Sequence, residues 1–180
     1  MIGIGPAASA GSTRAGLWVR LGAALYEGLL ATALVFITGF LMLPLVTPGT
    51  AASATDLSVP PLPARVILFC VLFSVVALYF VWSWTGGRRT LPLKTWRMRI
   101  AMPDGASPSR KTALLRYLAA WIGPSLALVA YVLLRPGGHG DLALGLAALN
   151  FIWAIGDPDR QFLHDRIAGT RIVRDGKAGS

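Results

Sequence analysis

Four long apolar stretches constrain this chain more than any other feature. They cover approximately residues 18–46, 66–84, 117–134 and 142–155 of the 180. Hydrophobic residues make up 54% of the sequence and charged residues 14%, whereas about 25% is usual for charged residues in a soluble domain. A single core of this size cannot bury so much apolar side chain. The pattern therefore predicts an all-α membrane protein with about four transmembrane helices.

The four stretches differ in length and regularity. An α-helix rises ~1.5 Å per residue and needs about 20 residues to cross ~30 Å of hydrocarbon. The first two stretches approach or exceed that length, whereas the fourth reaches only roughly 21 Å if it is α-helical. A kink is predicted in the third at Gly123-Pro124. Residues 17–175 form the predicted membrane domain, between a disordered cytoplasmic tail at 1–16 and a short tail at 176–180.

The positive charge is distributed unevenly between the predicted spans. Fifteen of the 17 Lys and Arg residues lie in three places: before or at the start of the first span, between spans two and three, and after the fourth span. The two exceptions are Arg65 and Arg135. Basic residues accumulate on the cytoplasmic side of membrane proteins. The sequence therefore predicts a multi-pass protein of a bacterial-type inner membrane with both termini in the cytoplasm. Topology accounts for the net charge of +9, and no nucleic-acid partner is expected.

The predicted cytoplasmic segments contain short patterned stretches. Apolar and polar residues alternate over 95–102 and again over 170–174, and both stretches end at an Asp-Gly turn. Because a lone strand is marginal in water, we expect these two segments to pair as a two-stranded β-ribbon in a small cytoplasmic cap. Residues 110–121 combine three basic residues with three leucines. They indicate either an interfacial amphipathic helix or the end of the third span.

Glu27 is the only glutamate of the chain, and the pattern places it inside the first span. Insertion of a charged residue there costs roughly 2.5–3.5 kcal/mol, so such a residue normally faces water or a partner. One hypothesis makes Glu27 a proton or cation site. The other makes it part of a structural charge network with Arg20 and Asp165. Arg20 itself lies near the helix start, where an interface anchor is expected.

Other residues are candidate partners of Glu27 and Arg20. Asn150 is the strongly polar residue of the fourth stretch, and Arg116 and Asp165 could approach from the cytoplasmic side. The small residues of the first helix recur every four positions, a spacing that lets a second helix approach closely. We expect this face to contact the same chain, a second copy or another membrane protein. It consists of Ala24, Gly28 and Thr32.

No pattern in the sequence indicates an enzyme. His164 adjoins Asp165, but there is no recognisable nucleophile elbow and no set of metal ligands spaced on a helix. A neutral His164 at the interface is therefore expected, and Asp165 and Arg166 are expected to form salt bridges or to cap a helix. No cofactor or metal is predicted. Five tryptophans near the predicted span ends are interpreted as an interfacial belt: Trp18, Trp82, Trp84, Trp121 and Trp153.

Three sequence blocks resemble the RDD family of small polytopic membrane proteins, named for one Arg and two Asp. The first is residues 18–27, WVRLGAALYE, with Arg20 at the head of the first helix. The second comprises residues 90–100, TLPLKTWRMRI, then Asp104-Gly105 and residues 114–117. The third is residues 159–171, DRQFLHDRIAGTR, which is the most specific. The resemblance covers most of the chain.

The chain departs from the family pattern at two positions. Glu27 stands where the family acid is normally Asp, and Pro92 stands where Gly is usual. Glu27 keeps the charge but has a longer reach than Asp. The resemblance implies a membrane protein for which transport has been suggested. Two hypotheses follow: transport of a proton or small cation centred on Glu27, or a non-catalytic partner subunit of a larger membrane complex.

Overall fold

The computed structural model describes residues 15–46 and 59–174 and consists mainly of helices. Helices α1 and α2 are long and apolar, and α4 and α5 follow each other with a break at Trp121. Two 3₁₀ stretches separate α5 from α6. The elements in order are α1 (Leu17–Val46), α2 (Leu62–Trp84), α3 (Leu91–Thr95), β1 (Met98–Ala101), α4 (Arg110–Ala120), α5 (Ile122–Leu134), 3₁₀ stretches (Arg135–Gly137 and Gly140–Ala148), α6 (Leu149–Gly156), α7 (Leu163–Ile167) and β2 (Arg171–Arg174).

Three helical segments are long and apolar enough to cross a membrane: Leu17–Val46, Leu62–Trp84 and Arg110–Gly137. Their large apolar side chains face outward, among them Phe36, Phe40 and Leu133 at 74%, 76% and 73% exposure. Side chains that would be buried in a soluble protein are here left for lipid. The prediction of an all-α membrane protein that contacts the bilayer is confirmed. The third long segment begins at Arg110, seven residues earlier than the predicted span.

The predicted fourth stretch is helical but falls short of a full-length α-helix. Gly140–Gly156 has 17 residues, of which Gly140–Ala148 form a 3₁₀ helix and the rest α6. A 3₁₀ helix rises ~2.0 Å per residue, so this mixed segment reaches about 30 Å. It runs back along α5, and the fit is close at Gly123. A Cβ there would lie 2.9 Å from the Leu146 carbonyl oxygen.

The pairing of the two predicted strand segments is confirmed. Strand β1 pairs antiparallel with β2, with Ile100 opposite Ile172. The predicted first strand is shorter than residues 95–102, because residues 91–95 form α3, which has Pro92 in its first turn after the N-cap Thr90. Helix α3 packs against both α1 and β1, and Arg20 in the first turn of α1 contacts the loop before α7. The beginning of α1 and the end of β2 therefore lie at the same end of the helical bundle.

Candidate functional site

A cavity of about 280 Å³ lies where α1, α2, α4 and α6 meet the ribbon and α7. Its walls are mainly apolar, with side chains such as Ala23, Val76, Phe80 and Phe151. Ionisable side chains line it as well, and they come from helices far apart in sequence. They are Arg20 and Glu27 of α1, Arg116 of α4 and His164 of α7. A polar cluster against apolar walls is the usual composition of a small-molecule site.

Glu27 lies at the cap end of the bundle, where α1 packs against α3. The Thr90 hydroxyl donates a hydrogen bond of 2.6 Å to Oε1 of Glu27. Thr90 also accepts a bond from the Leu93 amide, which fixes its hydroxyl at the start of α3. The Trp84 indole interacts with the same carboxylate, although its N–H makes no hydrogen bond of normal geometry. Glu27 is thus fixed through Oε1 by Thr90 and lies beside the Trp84 indole, where it lines the cavity.

Arg116 and Asp165 form a buried ion pair. Nε of Arg116 donates to Oδ1 of Asp165 at 2.7 Å, and the Thr170 hydroxyl donates to the same oxygen at 3.1 Å. The guanidinium also lies 4.1 Å from the ring centroid of Trp84, a cation–π arrangement. Asp165 is 0% exposed. The expectation that Asp165 forms a salt bridge is confirmed, and its partner is Arg116.

The charge states in this cluster follow from its contacts. Burial alone would raise the pKa of Asp165, but Arg116 and the hydrogen bonds keep that pKa below its ordinary value. Burial lowers the pKa of His164 to about 4. The imidazole is therefore neutral near pH 7, as expected, although it is buried. Because Arg116 only donates, its contact of 3.3 Å with Nε2 of His164 places the ring proton on Nδ1.

This neutral histidine makes folding stability depend on pH. The unfolded chain binds a proton at His164 near pH 6.5, whereas the folded chain does so only near pH 4. The unfolded state therefore holds more protons between these values, so stability falls as pH decreases through that window. We expect His164→Gln, which keeps a polar side chain but does not titrate, to flatten the fall of Tm between pH 6.5 and 4.5. Equal falls in both proteins would contradict this.

Arg20 is buried, so the expectation of an interface anchor is wrong. Its side chain is directed into the cap, where Nη2 donates to the carbonyl oxygen of Arg160. The guanidinium lies 5.3 Å from the ring centroid of Phe162. The residue at the head of α1 therefore contacts protein. Arg20 ties α1 to the loop that precedes α7.

That loop is shaped by Asp157 and Arg166. Oδ2 of Asp157 accepts bonds of 3.0 Å from the amides of Asp159 and Gln161, which closes a tight turn. Arg166 bridges the outer side of this turn, 3.5 Å from Asp157 and 3.2 Å from Asp159. The expected salt bridge of Arg166 is confirmed, but the residue lies outside the cavity. It holds the turn whose Arg160 carbonyl receives Arg20.

The hydrogen-bond partner of Asn150 differs from the predicted one. Its side-chain amide donates to the carbonyl oxygen of Ala120 at 2.6 Å. Pro124 has no N–H, so the carbonyl four residues before it lacks its helical donor. Asn150 supplies the donor and satisfies the break between α4 and α5. The hypothesis that Asn150 is a partner of Glu27 is therefore wrong, and the break lies at Trp121, two residues before the predicted kink.

The sequence analysis missed two residues that contact charged side chains of the cavity. Trp84 was assigned to the interfacial belt but is 6% exposed, with its indole against Arg116 and its Nε1 without a partner among the described residues. Thr90 holds Glu27. The signal for Thr90 was present, because a Thr followed two positions later by Pro marks a helix N-terminus. The contact with Glu27, 63 residues away, could not be read from it.

These features define a small helical membrane protein with a buried charged cluster at one end of its bundle. Within the described residues, no group of three His, Cys, Asp or Glu side chains could hold a metal ion. The profile of the RDD family matches residues 14–169. The chain belongs to the RDD family, as the resemblance of its sequence blocks implied. No curated protein and no solved structure shows significant similarity to it.

Proposed function

We propose that the protein transports a proton or a small cation through a site centred on Glu27. The observation that carries the proposal is the position of this carboxylate. Among the described residues, Glu27 is the one acidic residue lining the cavity, and its Oε1 accepts a bond from the Thr90 hydroxyl. A carboxylate held by neutral donors at a cavity can exchange a proton for a cation.

The neighbouring ion pair supports this assignment. Arg116 is neutralised by Asp165 at 2.7 Å, so its charge does not require Glu27 as a partner. Arg20 donates to a carbonyl and does not change charge. The cluster thus contains one ion pair of fixed charge, Arg116 with Asp165, and one group that can titrate, Glu27. Because four helices enclose little pathway, we expect transport to require an oligomer. No catalytic role is proposed.

The test is protection of Glu27 from a hydrophobic carbodiimide, which modifies protonated carboxyl groups. We expect the peptide containing Glu27, the only glutamate of the chain, to be modified in the purified protein. Increasing Na⁺ or K⁺ should reduce this modification, because a cation replaces the proton on the carboxylate. The buried Asp165, held ionised by Arg116, provides the internal control and should stay unmodified. Modification of Glu27 that neither ion reduces would refute cation binding there.

The second candidate function is that of a non-catalytic subunit of a larger membrane complex. It is favoured by the exposed small-residue face of α1, where a Cβ on Gly28 would meet nothing within 4 Å. In that case Arg20, Glu27 and Asp165 would serve only to fix the helices. Glu27→Gln would then reduce the recovery of a partner or the abundance of the protein. A transport site would instead lose flux while the protein still inserts.

We further propose that the protein lies in a bacterial-type inner membrane with both termini in the cytoplasm. The distribution of its basic residues supports this orientation. The start of α1 and the end of β2 lie at the same end of the bundle, as four crossings require. Topology reporters fused at Pro60 and Gly138 are therefore expected to report from the outer side. A cytoplasmic signal from Gly138 would show that Gly140–Gly156 does not cross.

A further inference from the structure

A second hollow lies beside the cavity and shares part of its lining. This outer groove of about 550 Å³ runs along α1 from Leu21 to Thr32, with Phe151 of α6 on the opposite wall. The groove and the cavity share Ala24, Gly28 and Phe151 as lining residues. On the groove side, Leu25 and Leu29 are 69% and 63% exposed. The gap between α1 and α6 thus borders both the cavity and the lipid-facing surface.

The inner end of this gap contains hydrogen-bonding groups that the described residues leave unsatisfied. Nε1 of Trp84 and Nδ1 of His164 are buried donors without a partner. Both side chains are at least nine-tenths buried and line the cavity. The Glu27 carboxylate lies beside Trp84 and accepts a bond from Thr90 through Oε1. Buried polar groups are normally satisfied, so two unsatisfied donors beside a carboxylate indicate a bound group that brings an acceptor.

The charges of the cluster restrict the occupant further. Two cations, Arg20 and Arg116, balance two carboxylates, Glu27 and Asp165, so the ionised cluster is neutral as it stands. A purely anionic or cationic head group would leave a net charge in a mainly apolar cavity, which is costly. An occupant with one positive and one negative group keeps the balance. Its positive group would meet Glu27, and its oxygens would meet Trp84 and His164.

We propose that this gap binds a phospholipid with a phosphate and a primary ammonium in its head group, that is, one of the phosphatidylethanolamine class. The head group lies in the cavity at the cap end, and one acyl chain follows the outer groove along α1. The groove covers about 16 Å of α1, at ~1.5 Å per residue from Leu21 to Thr32. The apolar groove follows α1 in the direction away from the cap, which is the direction an acyl chain takes into the leaflet. Binding of this phospholipid does not depend on the proposed ion transport.

The test measures lipids retained by the full-length protein from mixed detergent micelles. The micelles contain equal amounts of phosphatidylethanolamine, phosphatidylcholine and phosphatidylglycerol with identical acyl chains. After gel filtration, the lipid bound per protein is quantified by mass spectrometry. The choline head group is also zwitterionic but has no N–H to donate to Glu27. We expect a preference of about tenfold for phosphatidylethanolamine over phosphatidylcholine, which corresponds to 1.4 kcal/mol.

Two glycines of α1 provide a matched pair of variants. Gly28→Leu places a side chain in the opening between groove and cavity, whereas Gly39→Leu adds the same side chain further along the helix. A Cβ at either position meets nothing within 4 Å, so both variants should fold, which helicity and a monodisperse elution profile verify. We expect Gly28→Leu to lose the bound lipid and Gly39→Leu to keep it. Glu27→Gln should keep lipid but lose the preference for ethanolamine over choline.

Several outcomes would overturn the proposal. Equal retention of the three lipids would remove the head-group specificity, and predominance of phosphatidylglycerol would show that the site selects anions. Unchanged binding by Gly28→Leu would place the lipid elsewhere. A lipid-free dimer that Gly28→Leu dissociates would make this face a contact between two copies of the chain. None of these results bears on ion flux, so the transport proposal is tested separately.

Discussion

Replacement of Asp165 by Asn is expected to lower the free energy of unfolding by ~3–5 kcal/mol, because it leaves a buried guanidinium without its counter-charge. Asp165 is 0% exposed and Arg116 is 3% exposed, so water cannot replace the lost partner. The change also weakens the bond that Oδ1 accepts from Thr170, which connects α7 with β2. The two-stranded ribbon and the part of α4 around Arg116 should both become less stable.

The stability of this variant can be measured as the midpoint of thermal unfolding in detergent. The matched control is Asp159→Asn, which removes the same charge from a bridge to the half-exposed Arg166 and should cost less than ~1 kcal/mol. Combining Asp165→Leu with Arg116→Met removes both charges, so it should recover much of the stability lost by Asp165→Asn. If Asp165→Asn unfolded at the same temperature as the unaltered protein, the pair would not stabilise the fold.

The helices and the ribbon were the parts of this fold that the sequence predicted best. Their signals are local: long apolar runs for α1 and α2, and alternation at 95–102 and 170–174 for the ribbon. The 3₁₀ stretch Gly140–Ala148 was not foreseen. Its apolar residues fit an α-helix equally well, and the tighter winding occurs where the segment packs closely against Gly123.

The candidate residues were found, but several of their contacts were not. Hydropathy placed Glu27 in the first span, yet pattern alone cannot tell that α1 begins inside the cap. Arg20 was therefore assigned to a membrane surface and Trp84 to a belt, although both are buried. The missing donor at Pro124 can be read from the sequence. That Asn150 supplies it is a tertiary fact.

The exchange of Glu27 for Gln is expected to abolish cation-driven proton flux while leaving the fold intact. Gln keeps the shape and still accepts the bond from Thr90, but it neither releases a proton nor carries the charge that binds a cation. Glu27→Asp keeps the charge of the family acid and should retain measurable flux. This variant also tests whether flux depends on the length of the Glu27 side chain. The shorter Asp side chain would leave its carboxylate further from the Thr90 hydroxyl.

The most direct measurement of the central claim is proton flux in proteoliposomes that contain the purified full-length protein. A gradient of Na⁺ or K⁺ is imposed while the internal pH is followed, with Glu27→Gln, Glu27→Asp and the stability control Asp159→Asn measured in parallel. We predict flux in the unaltered protein and in Asp159→Asn, reduced flux in Glu27→Asp and none above empty vesicles in Glu27→Gln. Flux of equal size in the unaltered protein and in Glu27→Gln, or no flux in correctly inserted unaltered protein, would contradict the account.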